Sequence, residues 1–148
     1  MSGYVAILPY MESKSATDLM ELADKPPMEQ IAAIERGLPS GALNQIARRL
    51  GLPKRRIINS LRFAQRTITA REKAKGRFTT DESERLLRVL RVRRIVRDVF
   101  TSDEAVAEWL NAPDRSLGLR TPLEMLATGL GAAKVENLAR AMVHGVPL

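Results

Sequence analysis

A short basic stretch carries residue types that suit recognition of a nucleic-acid duplex. Residues 53–66 read PKRRIINSLRFAQR, with arginines and an asparagine among isoleucines and leucines. Placed on one helix at about 100° per residue, Ile57, Leu61 and Ala64 share one side, and the polar side chains face away from it. Arginine can donate two hydrogen bonds to the O6 and N7 atoms of guanine, and asparagine can pair with the adenine edge. The stretch therefore predicts a helix whose outer face contacts duplex DNA.

The polar side chains of this predicted helix divide by the part of the duplex that each would contact. Base edges are assigned to Arg55, Asn59 and Arg62. Backbone phosphates are assigned to Lys54 and Arg56, near the helix start, where the helix dipole adds partial positive charge. The full set of candidate DNA-binding residues is Lys54, Arg55, Arg56, Asn59, Arg62 and Arg66. The plainer alternative is a solvated helix face with no ligand.

A second apolar stripe precedes this helix and meets it across a tight turn. The stripe consists of Leu43, Ile46, Ala47 and Leu50, at the spacing of one helix face. Gly51 permits a positive φ in the turn, and Leu52 can fill the angle between the helices. Pro53 suits a first helical turn, where its missing N–H has no partner. The pattern is that of a helix-turn-helix motif.

The charge distribution supports a polyanionic ligand for the middle of the chain. Residues 48–97 hold 17 lysines and arginines against 4 acidic residues, a net charge of +13. Each flank is acidic, with a net charge of −3 over residues 1–47 and −3 over residues 98–148. A basic centre between acidic ends indicates a nucleic-acid-binding segment joined to parts with another partner.

Composition excludes several other classes of protein. The 148 residues contain no cysteine, which excludes disulfides, thiolate metal sites and thiol nucleophiles. We expect no cofactor, no metal, no membrane span or export signal, and a cytoplasmic location. The single histidine, His144, has no acid or hydroxyl placed by sequence to form a triad, and the acidic residues are scattered. We therefore expect that the chain is not an enzyme.

Capping and breaking signals predict the remaining helices. They comprise a short helix over 15–22, a helix from Met28 to Gly37, and a long helix from Thr79 to about Phe100 that begins with a Thr79–Glu82 capping box. Three follow: Thr101 to Leu110, a short one opened by Thr121 and closed by Gly129 and Gly131, and Ala132 to about His144. Residues 67–78 have little apolar content and are interpreted as a basic connector that also contacts phosphate through Lys73, Lys75 and Arg77.

These elements predict an all-α fold. We expect an N-terminal arm over residues 1–27, a helix-turn-helix DNA-binding domain over 28–78, and a small helical domain over 79–148. The apolar band of the long helix is too broad for one stripe. That helix is therefore buried on several sides, either within the chain or against a second copy.

The C-terminal half resembles the toxin-binding domain of Xre/ParS/MbcA-family antitoxins, the partners of RES-domain toxins. The resemblance rests on an ordered set that follows Glu82-Ser83: Phe100, Ala105, Trp109-Leu110, Pro113, Leu117, Thr121-Pro122-Leu123, Leu126, Thr128, Gly131, Val135, Leu138 and Gly145. With the helix-turn-helix it covers residues 28–147. One departure is Leu119, where the family commonly has a second glycine.

The resemblance implies an antitoxin that forms a homodimer within a larger toxin–antitoxin complex. Such a protein covers the active site of its cognate RES-domain toxin, an NAD-degrading enzyme, and represses its own operon by binding double-stranded operator DNA. The candidate toxin-binding residues at the C-terminus are Met142, His144, Gly145, Val146, Pro147 and Leu148. Trp109 is interpreted as a core residue, since its position on the helix matches those of Ala105 and Leu110.

Two alternatives stay open at the level of sequence. One is a stand-alone helix-turn-helix repressor in which the C-terminal domain only dimerises. The other is an RNA-binding or nucleoid-type packaging protein, which predicts steep salt dependence and little sequence preference. The varied outer face of the helix at 53–66 argues against the second.

Overall fold

The computed structural model describes residues 19–145, which form eight α-helices and two short 3-10 helices. The α-helices are α1 (Pro27–Arg36), α2 (Ala42–Leu50), α3 (Lys54–Ser60), α4 (Gln65–Lys73), α5 (Thr80–Val96), α6 (Asp103–Leu110), α7 (Pro122–Met125) and α8 (Gly129–His144). The 3-10 helices span Leu19–Asp24 and Arg115–Leu117. Within these residues the only extended pairings are two isolated bridges, so the expected all-α fold is confirmed. The predicted helix over 15–22 falls largely outside the described residues.

The helix-turn-helix forms as the sequence predicts. Helix α2 buries Leu43, Ile46 and Leu50 almost completely. Gly51 closes α2 with φ of 67°, and the N–H of Leu52 donates to the carbonyl of Ala47 at 3.0 Å. A residue in the left-handed conformation at this position ends the helix and changes the direction of the chain before α3 begins.

The second helix of the motif is shorter than predicted. Helix α3 ends at Ser60, and Arg62 adopts φ of 60° in the turn that follows. Arg85 explains the break, because its guanidinium donates to the carbonyls of Leu61 and Arg62 at 3.2 and 3.3 Å. The same guanidinium lies 5.2 Å from the centre of the Phe63 ring. The carbonyls that a longer helix would have used internally are thus satisfied by a side chain from α5.

Residues 67–78 are not a connector, and that prediction was wrong. Most of this segment belongs to α4, which is anchored by Ile68, a residue with no solvent exposure. Phe78 then stacks on Phe63 with ring centres 6.3 Å apart. One buried residue per two turns is too sparse to give a helical periodicity, which is why the sequence pattern missed the helix.

Helix α5 is the centre of the fold. Its capping box is confirmed, with Thr79 and Glu82 exchanging hydrogen bonds of 3.1 and 2.8 Å, but it ends at Val96 rather than near Phe100. The N-terminal 3-10 helix, α1 and α8 all pack against it. The expected burial on several sides is therefore provided by the chain itself.

Two predicted boundaries in the C-terminal part shift by a few residues. Ser102, not Thr101, caps α6 by accepting from the N–H of Ala105. Thr128 caps α8, so Gly129 and Gly131 begin this helix instead of ending the previous one. A Cβ on Gly131 would lie 2.0 Å from the carbonyl oxygen of Met125, so this glycine serves close backbone approach. The Thr121–Glu124 capping box of α7 is confirmed.

A helix that crosses a bilayer needs about 20 mostly apolar residues. None of the helices within residues 19–145 meets that requirement.

A carboxylate at the start of α6 joins three helices. Asp103 accepts from Arg93 of α5 at 2.8 Å and from Arg49 of α2 at 3.1 Å. Burial alone would raise the pKa of Asp103, but the two arginine hydrogen bonds outweigh it and hold this pKa below the usual aspartate range. Arg93 is only 9% exposed, so its charge depends on this partner. The cluster therefore stabilises the folded state while Asp103 is ionised.

Asp103→Asn should lower the free energy of unfolding near neutral pH by about 1–3 kcal/mol, because it leaves a buried guanidinium without its counter-charge. The folded pKa is depressed, so the contribution is present above the usual aspartate pKa of about 3.9 and is lost as pH falls through the folded value. Urea unfolding across pH measures both effects.

Asp98→Asn is the matched control, since Asp98 is exposed and forms no ion pair among residues 19–145. An equal loss for the two variants would contradict the role of the Asp103 cluster. A loss that does not shrink with acidification would contradict its electrostatic origin.

Candidate nucleic-acid interface and partner surface

Helix α3 has one face in the core and one in solvent. Ile57 and Ile58 are buried, whereas Arg55, Arg56 and Asn59 are exposed on the opposite side. An α-helix with its side chains is about 10–12 Å across, which matches a major groove about 12 Å wide. The outer face of α3 can therefore bring the guanidinium of Arg55 and the amide of Asn59 to the edges of base pairs.

Neighbouring helices already hold two of the candidate cations. The Nζ atom of Lys54 lies 2.7 Å from a carboxylate oxygen of Glu72 on α4. Arg56 donates to the side-chain oxygen of Asn111, at the end of α6, at 3.1 Å. By contrast, Arg55 forms no ion pair within the described part of the chain. Arg55 is thus the α3 cation most available to an external ligand.

Arg62 and Arg66 do not share the helix face that the sequence predicted. The break at Ser60 places Arg62 in the turn and Arg66 in the first turn of α4, although both side chains are exposed. The arrangement on one continuous helix was wrong for these two residues, because it assumed 100° per residue through the break. Their assignment to DNA stays a prediction.

Helix α4 and the turn that follows it carry the basic surface that the sequence placed on a connector. A shallow pocket of about 440 Å³ lies along it, lined by Arg66, Thr67, Ala70, Arg71, Ala74, Gly76 and Arg77. Lys73 and Lys75 are also exposed, while Arg71 is paired with Glu82 at 2.9 Å. The sequence assigned Lys73, Lys75 and Arg77 to phosphate contact, and this assignment stays a prediction.

The C-terminal candidates lie at the end of α8. Met142 is half-buried against the core, and His144 and Gly145 are exposed. Gly145 ends the helix with φ of 66°, donating to the carbonyls of Ala141 and Met142. The three remaining candidates, Val146, Pro147 and Leu148, lie outside the described residues. Toxin contact at this end stays a prediction.

Trp109 lies half-buried on α6 and packs against the main core. Its ring centre is 6.0 Å from that of Phe100. This placement agrees with its interpretation as a core residue rather than a contact residue.

No group of three histidine, cysteine, aspartate or glutamate side chains within residues 19–145 could hold a metal ion. The features present there are instead a two-helix unit with an exposed polar face and a capped helical module packed beside it. The fold and this surface define a helix-turn-helix protein with a C-terminal helical domain.

Comparison with known proteins gives two domain matches and three similar sequences. Residues 29–91 match the antitoxin Xre-like helix-turn-helix domain, and residues 96–145 match the antitoxin Xre/MbcA/ParS C-terminal toxin-binding domain. The chain is 33% identical to an antitoxin Xre of Yersinia enterocolitica over 78% of this chain and 79% of that protein. It is 35% identical to an antitoxin Xre of Photorhabdus laumondii, over 78% of each chain. An antitoxin Xre of Pseudomonas putida is 30% identical over 56% of this chain and 52% of its own length.

The chain belongs to the Xre/MbcA/ParS antitoxin family. The family resemblance expected from the sequence is thus confirmed, as is the order of a helix-turn-helix domain followed by a toxin-binding domain. As a family antitoxin the chain is a regulator and not an enzyme.

Arg55→Ala should weaken binding to operator DNA by about 1–3 kcal/mol, because a bidentate contact with one base is lost. Binding to a random duplex of equal length should change much less. Fluorescence anisotropy with both duplexes at fixed salt measures the difference.

Lys134→Ala on α8 is the charge-matched control, since Lys134 is exposed on a helix that packs against α5 and α7. Equal losses on operator and random DNA for Arg55→Ala would rule out base recognition by this residue.

Proposed function

We propose that this antitoxin neutralises a RES-type, NAD-degrading toxin and represses its own operon. In this proposal the C-terminal domain covers the active site of the cognate toxin, and α3 binds double-stranded operator DNA. The antitoxin acts in the cytoplasm, as a homodimer within a larger toxin–antitoxin complex. The observation that carries the proposal is that the two family domains match separate regions with different surfaces, residues 29–91 and 96–145.

The charge and exposure of the helix-turn-helix support the DNA half of the proposal. Exposed Arg55 and Asn59 are one helical turn apart on α3, so both can meet base edges from the same groove. The net charge of +13 over residues 48–97 supplies attraction to phosphates. Arg62 and Arg66 extend the basic surface beyond the end of α3.

The end of α8 supports the toxin half. Gly145 turns the chain out of the helix at an exposed position, and an apolar tripeptide follows it in the sequence, Val146-Pro147-Leu148. A short apolar segment of this kind suits insertion into a concave enzyme site, which typically has predominantly apolar walls. Identification of the toxin as a RES enzyme rests on the family resemblance.

A homodimer would need a surface other than α5, which the chain covers by itself. Helix α1 offers one, since none of its residues is fully buried and Met28 is 72% exposed. Ile31 follows Met28 on the same face of α1, and it is 40% exposed.

Deletion of residues 146–148 should impair neutralisation of the toxin while operator binding stays intact. Co-expression of each variant with the neighbouring toxin gene tests this, with host growth and cellular NAD as readouts. Rescue by the full-length chain, together with a stable complex on pull-down, is the expected reference result.

Two further variants distinguish the DNA-binding surface from the toxin-binding surface. Arg55→Ala should lose operator binding and keep neutralisation, the reverse of the deletion. Leu130→Asp alters an exposed leucine at the opposite end of α8, and it should keep both activities. If the deletion neutralises fully, the toxin contact lies elsewhere in the domain. If the neighbouring gene is not toxic and no complex forms, a stand-alone repressor is the better account.

A further inference from the structure

The segment between α6 and α7 begins and ends beside α3. Its first residue, Asn111, accepts the hydrogen bond from Arg56 of α3, and α7, which follows the segment, also packs against α3. Both ends of residues 111–120, here called the basic loop, are therefore fixed next to the helix that faces DNA in the proposed function.

The basic loop is held in one shape by its own hydrogen bonds. The N–H of Asp114 donates to the carbonyl of Arg120 at 3.0 Å, and the N–H of Leu119 donates to the carbonyl of Asp114 at 2.9 Å. The carboxylate of Asp114 accepts from the N–H of Ser116, and Leu117 is buried in the core. Gly118 and Leu119 both have positive φ, which closes the turn. The loop is a compact projection and not an extended linker.

Two arginines of the basic loop face solvent. Arg115 and Arg120 are exposed, and neither forms an ion pair within residues 19–145. The carboxylate nearest to them in sequence, Asp114, is occupied by Ser116. Glu124, in the following helix, is engaged with the N-cap of α7. The loop therefore carries two available guanidinium groups.

We propose that the basic loop is a second DNA contact, in which Arg115 and Arg120 bind backbone phosphates beside the groove read by α3. The inference rests on the proposed DNA binding of α3. Asn111 is fixed at Arg56, and Arg115 is four residues further on, so its Cα lies within about 14 Å of Asn111. The groove that accepts α3 is about 12 Å wide, so phosphates along its edge come within reach of Arg115. The C-terminal domain thus contributes to DNA binding as a wing beside the recognition helix.

The dependence of DNA affinity on salt tests the proposal. Each phosphate contact contributes about 0.9 to the slope of log K against log salt concentration. The double variant Arg115→Ala/Arg120→Ala should therefore reduce the magnitude of this slope by about 2 on both operator and random duplexes. Arg115→Lys/Arg120→Lys should keep the slope, because lysine also neutralises a phosphate.

The double variant Lys134→Ala/Arg140→Ala is the control. It removes two positive charges from α8, as many as the loop variant removes from the basic loop. Both of its side chains are exposed, and α8 packs against α5 and α7. Circular dichroism melting confirms that each variant is folded. Equal slopes for the loop and control variants would overturn the inference.

Other results of these experiments distinguish a failure of the loop contact from a failure of DNA binding by α3. If Arg55→Ala loses operator preference while the loop variant matches the control, only the loop contact fails. If the wild-type chain binds no duplex, the DNA half of the proposed function fails and the loop contact with it. If the loop variant keeps the wild-type slope but no longer neutralises the toxin, the loop is a toxin surface and the DNA contact is overturned.

Discussion

The apolar character of α5 determines how the other helices pack. Residues Leu86, Val89, Leu90, Val92 and Val96 are all 0–1% exposed, and they do not lie on a single stripe. A helix that is apolar around much of its circumference is stable in water only when it is covered from several sides. The N-terminal 3-10 helix and α1 cover it on one side, and α8 covers it on another. The regions that precede and follow α5 are therefore joined through one hydrophobic core.

Polar contacts between helices fix how these regions are oriented. The hydroxyl of Ser83, which has no solvent exposure, accepts from the N–H of Leu38 at 2.8 Å and fixes the chain just before α2 against α5. Asp103 joins α2, α5 and α6 through Arg49 and Arg93. A buried donor or charge without a partner costs about 1–3 kcal/mol or more, so these contacts disfavour other arrangements. An exposed hydrogen bond from Arg56 to Asn111 also links α3 to the end of α6. The same set of contacts between helices thus holds both the proposed DNA surface and the proposed toxin surface.

Local signals in the sequence were sufficient where a feature depends on a few neighbouring residues. The capping boxes at Thr79 and Thr121, and the left-handed turn at Gly51, follow from local backbone chemistry and were predicted at the correct positions. The polar face carrying Arg55 and Asn59 was predicted for the same reason. The family resemblance supplied the identity of the C-terminal domain, which periodicity alone does not give.

Features that depend on distant residues were missed. The end of α3 is set by Arg85, which is 23 residues beyond Arg62, and by the stacking of Phe63 on Phe78. Helix α4 depends on Ile68 entering a core built by other helices. Leu119 adopts φ of 65°, a conformation that favours glycine, so the departure from the family pattern leaves the turn in place at some strain. The end of α3 and the formation of α4 are decided by contacts with residues far along the chain. The turn at Leu119 is decided by its backbone conformation.

Differential scanning calorimetry of the full chain tests most directly the claim that both surfaces depend on a single core around α5. We expect one cooperative transition, in which the calorimetric enthalpy of unfolding equals the van't Hoff enthalpy. Two separated transitions, one for the helix-turn-helix and one for the C-terminal helices, would contradict it.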